Sequence, residues 1–268
     1  GWELSVGWRD SFELGGKAFS YNVKAMVWDA RTWVTEYINP TGALGDYYEG
    51  KELGEIWGYR VEGLFRDQAE IDNSPQAKTT SMPGDIRYRD VNGDGVIDIE
   101  DAVHIGFPTT PRFVYGFSGF INYKNWEFNF AFQGSGQRGF FTRPDALSPF
   151  VGNHAMLKAI YDSHWTENTT DNHPFWPRLS TESIKNNTQV STWWMRDGSF
   201  MRLKSLELGY SFPQQMIKKI HLTKLRLYAN GTNLLTFSKF KLWDPEMGGL
   251  GVGYPNQRVI NLGIQVDF

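Results

Sequence analysis

Seven stretches of this chain alternate apolar and polar residues with a period of two, and that alternation constrains the fold more than anything else in it. WELSVGW sets Trp2, Leu4, Val6 and Trp8 against Glu3, Ser5 and Gly7. FSYNVKAMV sets Phe19, Tyr21, Val23, Ala25 and Val27 against Ser20, Asn22, Lys24 and Met26. RFVYGFSGFINY, WEFNFAFQ and SLELGYSF repeat the pattern, the last with Leu206, Leu208, Tyr210 and Phe212 on one side. KLRLYANGTNLL is a weaker case, and RVINLGIQVDF closes the chain with Ile260, Leu262, Ile264, Val266 and Phe268 on one face. Side chains of a strand point to opposite faces in turn, so each stretch reads as a strand with one greasy and one polar side.

Two environments accept such strands: a soluble sandwich, or a barrel wall with lipid outside and water within. No apolar run is long enough for a membrane helix, which leaves barrels open because their strands alternate. The connections separate the two. Alternate connections are short: Arg9 to Ala18, Lys124–Asn125 and Pro213 to Thr223. The others are long: Asp29 to Arg112, Gly134 to Ser199 and Thr236 to Gln257. Short turns at one rim and long loops at the other is the layout of outer-membrane barrels. Long structureless loops inside a compact sandwich would be unusual. The alternation then predicts that Glu207 and Asp267 point into the lumen. Seven strands beginning at Gly1 at the top of a wall also predict a piece of a larger barrel, because open sheet edges do not survive in lipid.

Composition narrows the function. A net charge of −3 gives a nucleic-acid partner no electrostatic support. The absence of cysteine removes thiol chemistry, cysteine zinc sites and disulfides. Aromatic residues make up 16% of the chain, a level that suits membrane girdles and sugar-stacking surfaces alike.

The order of particular segments is more specific. GEIWGYRVEGLF (54–65), PGDIRYRDVNGDGVIDIEDAVHIGFPTTPRFVYGFSGFINYKNWEFNFAFQGSGQRGFF (83–141), STWWMRDGSFMRLKSLELGYSFP (191–213), LRLYANGTNLLTFSKFKLWDPE (225–246) and the terminal RVINLGIQVDF succeed one another through nearly the whole chain. In that order they resemble SusC/RagA-type TonB-dependent outer-membrane transporters of Bacteroidetes. The resemblance implies an all-β fold, with residues 1–268 forming the C-terminal portion, about seven antiparallel strands, of a 22-stranded transmembrane β-barrel. It implies a non-enzymatic importer of an oligosaccharide, or of a peptide, with a SusD-like surface lipoprotein as lid and the TonB complex as energy source. It also implies that Phe268 belongs to the signal read by the barrel-assembly machinery.

The sharpest local motif is DVNGDGVIDIED. It fits a calcium loop with Asp90, Asn92 and Asp94 at positions one, three and five, Gly95 at the sharp turn, the Val96 carbonyl at seven, Asp98 at nine and Asp101 at twelve. Acidic oxygens so spaced suit a hard cation that would pin a long outer loop. Asp101 stands where a bidentate Glu is usual, and the alternative is an Asx-rich turn without an ion.

Loop aromatics Trp57, Tyr59, Trp165, Trp176, Trp193, Trp194 and Trp243 are candidates for glycan stacking, for the upper girdle, for a lipoprotein contact or for small loop cores. HAMLKAIYDSHWT (154–166) predicts an amphipathic helix with Met156, Ile160 and Trp165 on one side and Asn153 as its cap. His164 and His173 are only loosely spaced for a metal, and GGLGVG (248–253) lacks the helix that a phosphate loop needs. Two rivals are a soluble carbohydrate-binding β-domain with a calcium loop, and a smaller stand-alone outer-membrane enzyme or porin.

Overall fold

In the computed structural model, which describes residues 1–77, 80–169, 171, 173–249, 251 and 253–268, the seven alternating stretches form one antiparallel sheet. Its strands are β1 (Trp2–Leu14), β2 (Lys17–Asp29), β3 (Phe113–Tyr123), β4 (Trp126–Gly136), β5 (Phe200–Ser211), β6 (Lys224–Ser238) and β7 (Val259–Asp267). They pair in chain order, each with the next, as an up-and-down wall. The expectation of seven strands and sorted connections holds, with small shifts at several boundaries and a large one at the first lower turn. The first lower turn is only Gly15–Gly16, both at positive φ, so β1 and β2 run several residues further than the alternation predicts. A two-residue turn with both φ values positive matches strand twist and suits glycine.

The register joins the apolar positions into a single face. Leu4, Val6 and Trp8 oppose Val27, Ala25 and Val23. Val27 and Ala25 oppose Tyr115 and Phe117, and Phe117 opposes Phe132. Leu208 lies between Phe128 and Ala229, which in turn meets Leu262. The face stays exposed across the wall, including Leu4, Trp8, Phe117, Leu208, Leu262 and Ile264. A soluble sheet would bury it.

Two irregularities keep that face continuous. The β4–β5 register shifts at Ala131/Phe132 and the β5–β6 register shifts between Leu203 and Ser205. Lys204 is the extra residue, so Met201 and Leu203 above it share a face with Leu206 and Leu208 below it. A bulge inserts one unpaired residue and reverses the parity beyond it.

The buried core lies in the upper connections, outside the wall. Leu64, Ile86, Tyr88 and Ile97 from the 30–112 connection pack with Leu147, Ile160, Trp176, Trp193 and Trp194 from the 137–199 connection, and Trp243 of the third joins them. Short pieces hold this cap together: Val61–Leu64 pairs with Ile86–Tyr88, Trp57–Gly58 with Val103–His104, and Gly139–Phe141 with Met195–Asp197.

Candidate functional site: a lipid-facing wall, a polar lumen face and an ordered outer cap

Aromatic rings mark one level across the outer face. At the lower end Phe12 opposes Phe19, Phe19 opposes Tyr123, Tyr123 opposes Trp126, and Trp126 opposes Tyr210. Their ring centroids are 5.0 Å apart for Phe12–Phe19, 6.0 Å for Phe19–Tyr123 and 4.8 Å for Trp126–Tyr210. At the upper end Trp2 and Phe113 approach to 6.4 Å. From Phe113 to Tyr123 a strand covers roughly 34 Å. At the usual barrel tilt that is about 25 Å along the membrane normal, the height of an outer-membrane apolar band.

The opposite face is polar, as the alternation predicts. Arg226 Nη2 sits 2.7 Å from Glu127 Oε2 and 2.7 Å from Glu207 Oε1, so one guanidinium on β6 ties β4 and β5 together. Gly209 leaves the room in which that guanidinium lies, and Gly263 leaves room for the Tyr228 ring. Asn261 Nδ2 donates to Asn230 Oδ1 at 3.0 Å. Asp267 pairs with Lys224 in the register and lies on this face. An outer face of rings and aliphatics, an inner face of ion pairs and amides, and sorted connections define a segment of a transmembrane β-barrel of the outer membrane.

The cap is joined by a polar cluster that spans both long connections. Arg178 Nε donates to Asp85 Oδ1 at 2.6 Å, and Asn187 Nδ2 donates to the same oxygen at 2.8 Å. Ile86 N donates to Asn187 Oδ1 at 2.8 Å, Asn186 Nδ2 donates to the Ile86 carbonyl at 2.8 Å, and Trp194 Nε1 donates to the Asn187 carbonyl at 2.8 Å. Asp85 is fully buried and Asn186 and Asn187 nearly so, which makes these bonds obligatory. Tyr88 donates its hydroxyl to the Asn186 carbonyl, and burial pushes its pKa upward. Arg202, buried at the top of β5, pairs with Asp244 and, at 3.2 Å, with Glu246, fastening the third connection to the wall.

The predicted calcium residues share one tight loop. Asp90 accepts from the Gly93 and Gly95 N–H groups at 2.6 and 2.8 Å, and the Gly95 bond in particular holds its carboxyl below the ordinary carboxylate range. Asn92 Oδ1 accepts from Asp94 N, and Asp94 Oδ1 accepts from Val96 N. Asp98 caps the turn Ile99–Asp101, accepting from Glu100 N at 3.0 Å. Asp101 is fully buried and accepts from Val91 N at 2.7 Å and Asp98 N at 3.0 Å, which closes the loop from within. Among the described residues no three His, Asp or Glu side chains converge as a cation cage.

Trp176, Trp193 and Trp194 are buried, and Tyr59, Trp165 and Trp243 pack against them, so they form the cap's own core. The open rings of the upper connections are others, among them Trp33, Tyr37, Tyr47, Tyr161 and Tyr254. The amphipathic helix is shorter than 154–166: only Lys158–Asp162 is helical, and Leu157 occupies the cap position with no side-chain bond. Asn153 instead ends a separate turn at φ 64°. The predicted inward side is correct, since Ile160 is fully buried and Met156 and Trp165 pack on the core. Leu250 and Val252, within the glycine-rich segment, lie outside the described residues.

The comparisons agree with this architecture. No family model matches the chain. It is 33% identical over 233 residues to TonB-dependent receptor P26 of Formosa agariphila, covering 82% of this chain and 23% of that protein. It is 25% identical to the TonB-dependent receptor SusC of Bacteroides thetaiotaomicron, over 96% of this chain and 26% of the relative. The solved RagAB peptide transporter superposes with a TM-score of 0.69 at 20% identity, covering 99% of this chain and 29% of that one. The chain belongs to the SusC/RagA-type TonB-dependent receptors, β-barrel proteins of the outer membrane. It spans about a quarter of the length of these curated relatives.

Proposed function

We propose that residues 1–268 are the C-terminal portion of a barrel that imports an oligomeric nutrient, most simply an oligosaccharide, without itself being an enzyme. In this reading a SusD-like lipoprotein closes over the upper connections and the TonB complex supplies the energy. One observation carries the proposal: a lipid-facing wall continuous with a packed outer cap, its inner face lined by polar side chains. The relatives named as TonB-dependent receptors support active import. The open rings Trp33, Tyr37 and Tyr161 offer flat apolar faces to sugar rings and favour a glycan. The likeness to a peptide transporter keeps a peptide as the second cargo.

The 90–101 loop enters the proposal as a structural calcium clamp on the first upper connection. The ligands would be Asp90, Asn92, Asp94, Asp98, Asp101 and the Val96 carbonyl. Its support is the spacing of hard oxygen donors and the Asp90–Gly95 bond that turns the chain at the sixth position.

Deleting the gene and following uptake of labelled oligosaccharides and labelled peptides tests the cargo. Selective loss of oligosaccharide uptake supports the glycan reading, and selective loss of peptide uptake moves the cargo to peptides. Unchanged uptake of both, with no lipoprotein co-purifying with the receptor, overturns the import proposal.

A further inference from the structure

We infer that the outer face above the last lower connection binds an anionic phospholipid of the periplasmic leaflet, with an acyl chain in a groove of the wall and the phosphate on Lys218 and Lys219. The groove measures 630 Å³ and lies on the lipid face, lined by Trp126, Leu208, Tyr210, Leu227, Ala229 and Leu262 among others. It exists because a small residue, Ala229, stands in the register between Leu208 and Leu262, leaving a hollow between larger neighbours. Trp126 and Tyr210 close its lower end and belong to the aromatic row that marks the interfacial level. A chain lying in the groove therefore places its headgroup just below that row.

What hangs there is the connection between β5 and β6, the two strands that form the middle of the groove. Its sequence from Phe212 to Thr223 contains two lysines and no carboxylate. The turns Gly15–Gly16 and Lys124–Asn125 contain no carboxylate either, whereas the 30–112 connection at the opposite rim is rich in Asp and Glu. The connection folds as two short helical turns, Gln214–Ile217 and Lys218–Ile220. Ile217 is buried and anchors it, while Met216 and Ile220 are each 60% exposed. Two exposed apolar side chains four residues apart, flanking a lysine pair, suit a segment resting in a lipid interface. Charge selects the occupant: a cationic turn beneath an apolar groove complements an anionic headgroup, and a zwitterionic one gains less.

The test is native mass spectrometry of the full-length receptor released from nanodiscs made of equal parts phosphatidylglycerol and phosphatidylethanolamine. Wild type is expected to retain phosphatidylglycerol in roughly twentyfold excess, about fivefold from each of the two lysines. The variant Lys218→Gln/Lys219→Gln is expected to lose that preference by about fivefold per lysine. Ala229→Phe fills the groove and is expected to reduce retention of both lipids. Heat-modifiable gel migration confirms that each barrel is folded. Should Ala229→Phe fail to fold, the lysine pair still decides, because it lies on an exposed turn. Equal retention of the two lipids by wild type overturns the inference, as does a lysine variant that keeps the wild-type preference.

Discussion

A methyl group at Gly84 would lie 2.4 Å from Cε3 of Trp165, and the residue stands at φ +85°. Both facts oppose any side chain there. Gly84→Ala is therefore expected to destabilise the cap by upwards of about 1 kcal/mol, read as faster proteolysis of the upper connections in an otherwise folded barrel. Such a role is not visible in the sequence, where PGD reads only as a turn. The same holds for Asp85, whose partners Arg178 and Asn187 are 93 and 102 positions away. The 90–101 loop is the opposite case, because its donors are local and their spacing is legible. If calcium holds it, Asp94→Ala lowers loop protection from hydrogen exchange when calcium is present and changes little in chelator. Equal loss in both conditions would show that the backbone bonds to Asp90 and Asp101 suffice alone. The tryptophans mark the limit of single-residue reading. Trp33 and Trp194 both sit in long polar connections, yet one is half exposed and the other buried, a difference that distant contacts decide.

At the scale of elements the wall was legible and its irregularities were not. Alternation locates β1, β2, β3, β4 and β7 because one face meets lipid along their length. It weakens in β6 and misses the upper half of β5, and the reason is physical. Lys204 reverses the parity within β5, so a strict period of two reads Met201 and Leu203 as facing the wrong way, while the lipid side of β6 keeps its parity but carries the small residues Ala229 and Gly231. The faces can be separated by charge. Leu206 opposes Phe130 and Gly231 near mid-wall on the lipid side, and its neighbour Ser205 faces the lumen. Leu206→Arg is expected to cost about 2–4 kcal/mol of barrel stability. Ser205→Arg is expected to cost far less, since its guanidinium reaches water. Urea midpoints of the refolded barrel measure both, and equal costs would mean that the faces are assigned the wrong way round.

For the whole molecule the wall is thin and two-faced, so the tertiary packing sits where lipid is absent. The 30–112 and 137–199 connections share one core and one hydrogen-bond cluster, which makes them a single folded body standing on strands β2 to β5. Asn187 is its joint. Its side chain receives the Ile86 N–H and reaches Asp85, and its carbonyl receives the Trp194 indole. Asn187→Ala leaves the Ile86 N–H and one Asp85 lone pair without partners in a dry interior, a loss of about 1–3 kcal/mol. Because the two connections are one cooperative unit, that loss should appear in both. Hydrogen exchange is expected to quicken around Ile86–Tyr88 and around Thr142–Trp194 together, with β3 and β4 unchanged. Exchange that quickens only near residue 187 would divide the cap into two independent loops. The distinction bears on the proposed import, since a body that moves as one can open or close a barrel mouth in a single step, and two loose loops cannot.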